Sequence, residues 1–279
     1  MNVSRQRQVE KQREQQAELE RHEAKYIIHP SFVPEIREFI RPFCKPDPNA
    51  DGDPPEYVIT TLQLDSESLA LHYAKEYEAL NRFKLRCRTY GTEGNAPVFL
   101  EIKRKIKGVI VKSRVFIPRE KWGPAIFGGS PPELEFRSRH ERLNYVEFMR
   151  LMHLLDARPV MLIRYTRESY LGISDNYARI TFDRRLVYCP SRGWDLPPMN
   201  VNWRCMDTAT AQNRPYSGVV LELKTYRDAP LWMTHLTERF DLVRVGFCKY
   251  SCAMRLESLY QGGLYSDASE NCTYSVTGI

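Results

Sequence analysis

The strongest constraint in this chain is a period of two that recurs in segment after segment. In VFLEIKRK (98–105), Glu101, Lys103 and Lys105 alternate with Leu100, Ile102 and Arg104. Side chains two apart on a strand share a face, so this pattern reads as a strand with one charged face. The same spacing joins Glu23 to Lys25, Lys84 to Arg86 and Arg88, Lys112 to Arg114, and Glu222 to Lys224, while Arg179 sits inside another strand-like run. The interleaved positions (Leu85, Cys87, Ile102, Val115, Ile180, Phe182, Leu221 and Leu223 among them) are apolar and need burial. One polar strand face is ordinary, because an antiparallel sheet commonly turns one side to water. Repetition over most of the strands is not.

The pattern predicts strands over 23–28, 56–65, 83–90, 98–105, 109–117, 159–167, 177–183, 185–189 and 218–226. Lys107-Gly108 marks a tight hairpin, and Asp183, beside Arg184, reads as a turn residue joining two short strands. Amphipathic helices are expected over 29–43, with Ser31 as N-cap, and over 142–156, 229–242 and 245–260. Residues 1–20, rich in Gln, Glu and Arg, form a polar arm, helical or disordered. Residues 21–260 are the folded domain, 190–217 within it an irregular insertion, and 261–279 a loose tail. No apolar run is long enough to span a membrane, and the N-terminus lacks a secretory h-region. Seven cysteines without a CxxC pair point to a reducing, cytoplasmic setting with neither zinc site nor disulfide framework. The six histidines show no metal-ligand spacing, and the four tryptophans read as packing residues.

If the helices cover the apolar side of the strands, the charged faces look inward. About eight antiparallel strands close into a barrel wide enough for a ligand. The walls of such a barrel would carry many Lys and Arg and a few Glu. Converging cations need an anion among them, and carboxylates among the bases suit a hard divalent cation. Phosphate chains with a metal satisfy both. A formal net charge of +6 agrees with an anionic ligand without selecting one.

The segments RHEAKYII, KLRCRTYG, VFLEIKRK with VKSR, RYTRESY, ARITFD, GVVLELKTY and FCKY occur in an order and spacing that resemble the VTC domain, the polyphosphate polymerase domain within the triphosphate tunnel metalloenzyme (CYTH-like) superfamily. The resemblance covers roughly residues 21–255. It implies an α+β fold: an eight-stranded antiparallel barrel tunnel surrounded by helices, with a helix near the C-terminus closing it. It also implies a Mn²⁺- or Mg²⁺-dependent phosphotransferase that passes the terminal phosphoryl of ATP to phosphate or a growing polyphosphate chain, with no protein nucleophile. Matched position by position, the resemblance assigns Arg86, Arg88, Lys103, Arg167 and Arg179 to catalysis. Lys25, Lys112, Lys224 and Lys249 become phosphate contacts. Glu222 becomes the metal ligand, with Glu23 and Glu101 as further carboxylates. Arg164 is the structural member of its pair with Arg167. Cys248 departs from the family pattern, which often has Ser before the Lys of its FSKY segment.

Other readings stay open. A triphosphatase acting on tripolyphosphate or a nucleoside triphosphate would use the same tunnel. A non-catalytic polyphosphate-binding module would keep the bases and lose the metal-binding Glu, yet Glu222 is present. A nucleic-acid binder would show exposed basic patches interleaved with aromatics, and the alternation of bases with acids on strand faces disfavours it. Export of a product across a membrane would require a partner protein.

Overall fold

The computed structural model describes residues 22–107, 109–128, 132–174, 177–198, 201–226 and 228–262. The elements follow in the order β1 (His22–Ile28), α1 (Phe32–Ile40), β2 (Cys44–Pro46), β3 (Glu56–Asp65), α2 (Ala70–Glu76), β4 (Asn81–Tyr90), β5 (Val98–Ile106) and β6 (Val109–Ile117). Then come α3 (Arg139–Leu154), β7 (Arg158–Gly172), β8 (Arg179–Pro190), β9 (Arg204–Cys205), α4 (Ala209–Gln212), β10 (Val219–Thr225), α5 (Leu231–Arg239) and α6 (Lys249–Gln261). The polar arm and most of the tail expected at the two ends lie outside the described residues.

Antiparallel pairing links the long strands in the order β1-β10-β8-β7-β3-β4-β5-β6, with β2 beside β7 and β9 beside β8. This corrects the closed eight-stranded barrel: among the described residues the sheet has ten strands, and no ladder joins β1 to β6. The sheet curls instead. Lys103 of β5, next to one edge, reaches Glu23 of β1 on the other edge at 3.0 Å. Beside β1, the Val245 N–H donates to the Lys25 carbonyl at 2.8 Å, so the approach to α6 occupies the flank of that edge strand. Side chains and an irregular segment therefore bring the edges together where backbone bonds do not.

Three apolar clusters explain the curl. Under α3, Phe148, Leu151 and Met152 pack on Leu85, Cys87, Leu100 and Ile102. Under α1 and α5, Ile36, Ile40, Met233 and Leu236 pack on Ile180, Phe182, Leu221 and Leu223. These strand residues are the apolar partners of the charged alternation, so helices cover the convex face. The third cluster joins Tyr250, Cys252, Ala253 and Leu256 of α6 to Ile59, Ile163, Tyr165, Tyr188 and Val220. Ile163 and Tyr165 share a face with Arg167 and line the same cavity. Helix α6 thus fills the apolar half of the concave face, and its N-terminal end walls the charged half. Tyr250 donates its hydroxyl to Asp65 at 2.8 Å.

Several local expectations change in the structure. The two strands expected at 177–189 are one strand, β8, with Asp183 inside it; the register shifts opposite Arg164 and Thr166, and Arg185 takes φ 54°. A bulge accommodates the extra residue without ending the strand. Ser31 bonds to His29 rather than capping α1. Ser138 does cap α3, accepting from the Glu141 N–H at 3.1 Å. Helix α2 was not apparent in the sequence, because its start is held by a distant residue: Asp65 accepts the Leu71 and His72 N–H groups, each at 2.9 Å. Among the described cysteines, Cys44, Cys87, Cys189, Cys248 and Cys252 are free.

Strand β10, which carries Glu222, begins beside Gly218. A Cβ there would lie 2.4 Å from Ile27 Cγ2 and 3.1 Å from the Ile28 carbonyl oxygen. Gly218→Ala should therefore force β1 and β10 apart and cost about 1–3 kcal/mol, read as a lowered denaturation midpoint. A wild-type midpoint would refute the close approach.

Candidate active site

The concave face encloses a cavity of about 480 Å³. Its polar lining includes Glu23 and Lys25 from β1, Thr61 and Gln63 from β3, Lys84, Arg86 and Arg88 from β4, Lys103 from β5, Arg167 from β7, Glu222 and Lys224 from β10, and Lys249 from α6. Registry places these groups together. Lys25 faces Glu222, Glu23 faces Lys224, Arg86 faces Glu101, and Lys84 faces Lys103 across adjacent strands.

Each buried carboxylate is surrounded by more cations than it can neutralise. Glu222 meets Lys224 at 2.9 Å, Arg167 at 3.0 Å, Lys25 at 3.3 Å and Lys249 at 3.6 Å. Glu23 meets Lys103 at 3.0 Å and Lys25 at 3.2 Å. Asp183, fully buried, takes both arms of Arg167 at 2.6 and 2.7 Å and Lys249 at 2.6 Å. On the β4–β6 side, Glu101 gathers Lys112 at 2.6 Å, Arg86 at 2.7 Å, Arg114 at 3.4 Å and Arg88 at 3.8 Å.

The charge states follow from this crowding. Burial alone would raise the Glu222 carboxyl, but Lys224, Lys25, Arg167 and Lys249 outweigh it and hold the group well below the usual range. Glu101 is held down in the same way, burial opposed by Arg86, Arg88 and Lys112. The lysines diverge. Lys25 is raised despite burial because Glu222 and Glu23 flank it. Burial, with repulsion from neighbouring cations, lowers Lys103 to about 8 against the pull of Glu23. Cys248 lies at the cap of α6, and Lys84 donates to its sulfur at 2.7 Å. Burial resists ionisation of that thiol, yet Lys84 and Ser251 bring it down to about 6. The residue that departs from the family pattern is thus a charged partner for a cavity lysine.

The structure brings most of the sequence-derived residues together and separates a few. Glu23, Lys25, Arg86, Arg88, Lys103, Arg167, Glu222, Lys224 and Lys249 all line the cavity. Glu101 does not; it lies fully buried beneath Arg86 and Lys112, away from Glu222. Arg179 and Lys112 are not in the lining either: Arg179 sits 3.7 Å from Asp47, and Lys112 pairs with Glu101 at 2.6 Å. Arg164 turns to the other face, bonded to Thr60 and stacked on Trp203. Asp183, expected at a turn, is inside β8 opposite Arg167. Lys84, though in phase with Arg86 and Arg88, was not singled out as a site residue; its alternation was the available signal. No cluster of three or more His, Cys, Asp or Glu that could hold a metal occurs among the described residues. Glu222, Glu23 and Glu101 therefore do not form one carboxylate set. Glu222 does fit a hard cation: it is an ionised oxygen donor at the cavity wall, and the buried Thr181 hydroxyl on the facing strand has no hydrogen-bond partner.

A curled antiparallel sheet whose concave face is a basic cavity with buried acids defines the class of the protein. The chain belongs to the VTC-domain family, whose model matches residues 20–257. No curated protein matches it. Among solved structures it is similar to the PH1819 protein from Pyrococcus horikoshii OT3, at 13% identity and a TM-score of 0.38, over 79% of this chain and 86% of that one. It is also similar to a mimivirus capping enzyme triphosphatase, at 10% identity and a TM-score of 0.28, over 86% of this chain and 95% of that one. No helix among the described residues is long and apolar enough to cross a membrane.

The lowered lysine of the lining gives a pH test. Lys103 carries charge below about 8 and loses it above. Lys103→Met should therefore weaken inorganic triphosphate binding by about tenfold near pH 6 and by much less near pH 10, measured by calorimetry against wild type at each pH. A gap that stays constant across that range refutes the assignment.

Proposed function

We propose that this chain is a metal-dependent polyphosphate polymerase that transfers the terminal phosphoryl of ATP to phosphate or to a growing polyphosphate chain. The observation that carries the reading is the surplus of cations over buried carboxylates on one concave face, in a chain of the VTC family. Left alone, those cations repel one another, and a phosphate chain relieves the repulsion. Arg86 and Arg88 present planar forks to non-bridging oxygens, while Lys25, Lys103 and Lys224 act as point charges along the chain. Arg167 and Lys249, adjacent groups from β7 and α6, offset charge on the phosphoryl group in flight. The acceptor oxygen attacks in line, so no side-chain nucleophile is required. Glu222 would hold Mn²⁺ or Mg²⁺, which when bound neutralises phosphate charge. These cations already face one cavity, so a phosphate chain would exchange their carboxylate partners rather than gather them from a distance.

The deciding experiment incubates purified protein with ATP and Mn²⁺ and reads polyphosphate and free phosphate in parallel. Polyphosphate with ADP supports the proposal. Free phosphate without chains replaces it with a triphosphatase, and triphosphate binding without either product leaves a binding module. Glu222→Ala should lower metal-dependent turnover by at least about 100-fold; wild-type turnover would sink the metal assignment. Arg86→Ala and Lys103→Ala should each weaken triphosphate binding about tenfold, near 1.4 kcal/mol, whereas Arg179→Ala, outside the lining, should leave it within about twofold.

A further inference from the structure

Asp183, like Glu101, is an acid that the cavity does not reach. It is fully buried behind Arg167 and Lys249, whereas Glu222, which shares both cations, stands at the wall. The four groups form a square in which each base touches both acids: Arg167 at 2.6 Å from Asp183 and 3.0 Å from Glu222, Lys249 at 2.6 Å and 3.6 Å. The bases come from different parts of the fold, one from β7 and one from the first turn of α6. Both also lie over the Tyr165 ring, at 5.4 and 4.5 Å from its centroid.

The square has a consequence when Glu222 is drawn onto a metal ion. Arg167 and Lys249 then lose one of their two counter-ions, and two adjacent cations held by nothing else would turn apart. Asp183 has no route to the ligand and keeps its bidentate hold on Arg167. We infer that Asp183 is the positioning residue that holds Arg167 and Lys249 together, facing the phosphate chain, once Glu222 has turned to the metal. This rests on the reading of the cavity as a metal–triphosphate site. Asp183 also ties the first turn of α6 to the sheet, so the helix that walls the cavity and the phosphate clamp share one anchor.

The test measures binding of imidotriphosphate, which is not cleaved, by calorimetry with and without Mn²⁺, for wild type and Asp183→Asn. Without metal, Glu222 still pairs both cations, so the substitution should change affinity by about twofold or less. With Mn²⁺ it should cost about tenfold or more at unchanged stoichiometry, and the loss should be non-additive with that of Lys249→Met. A residue that only supports the fold would lower stoichiometry, or shift both conditions alike. Either result overturns the inference, as does an additive cycle. If Asp183→Asn does not fold, Asp183→Glu carries the same comparison, since moving the carboxylate by one methylene should also cost more with Mn²⁺ than without. Wild-type protein that binds no imidotriphosphate sinks the functional reading and this inference with it; wild-type binding with equal effects sinks the inference alone.

Discussion

Everything at this site depends on the compensation of buried charge. Glu222, Asp183, Glu23 and Glu101 lie out of water, and an isolated ionised carboxylate there would be prohibitively costly. Each is ionised because cations from neighbouring strands surround it. The cations need the acids equally, since so many on one concave wall would not tolerate burial alone. The resting cavity is therefore an ion-pair network with positive charge left over.

That network also explains the curvature of the sheet. Helices α1, α3 and α5 bury the apolar convex face, and α6 buries the apolar part of the concave one. The charged remainder is drawn together across the sheet by contacts such as Lys103 to Glu23, which link strands that no ladder connects. Closure by side chains leaves the edges of β1 and β6 without mutual hydrogen bonds. Segment 244–248 runs along one of them and delivers Cys248 and Lys249 to the cavity. Fold and cavity share the same residues: the Lys103–Glu23 ion pair that holds the curl also lines the cavity.

The charged alternation made much of this legible in the sequence. A period of two sets which side chains share a strand face whatever the tertiary context, so Arg86 and Arg88, Glu23 and Lys25, and Glu222 and Lys224 emerge as neighbours from spacing alone. Helix α3 was legible because its apolar stripe repeats with the helical period, though its start at Arg139, capped by Ser138, lies three residues before the expected one. Helix α2 was not, because Asp65, which caps it, belongs to the preceding strand. Asp183 was misread as a turn residue, because a bulge follows it and short-range chemistry cannot tell a bulge from a chain reversal. Glu101 matched Glu222 in type and phase, yet the two sit in separate clusters.

The sequence by itself determined the alternating strands, the apolar stripes that cover them, and the sign of the charge inside, because these follow from backbone periodicity and burial. Tertiary structure alone decided which acid meets which base. That depends on strand order and register, on β10 lying between β1 and β8, and on α6 entering the concave face. These are contacts between residues far apart in the chain, and no local pattern encodes the distance between them.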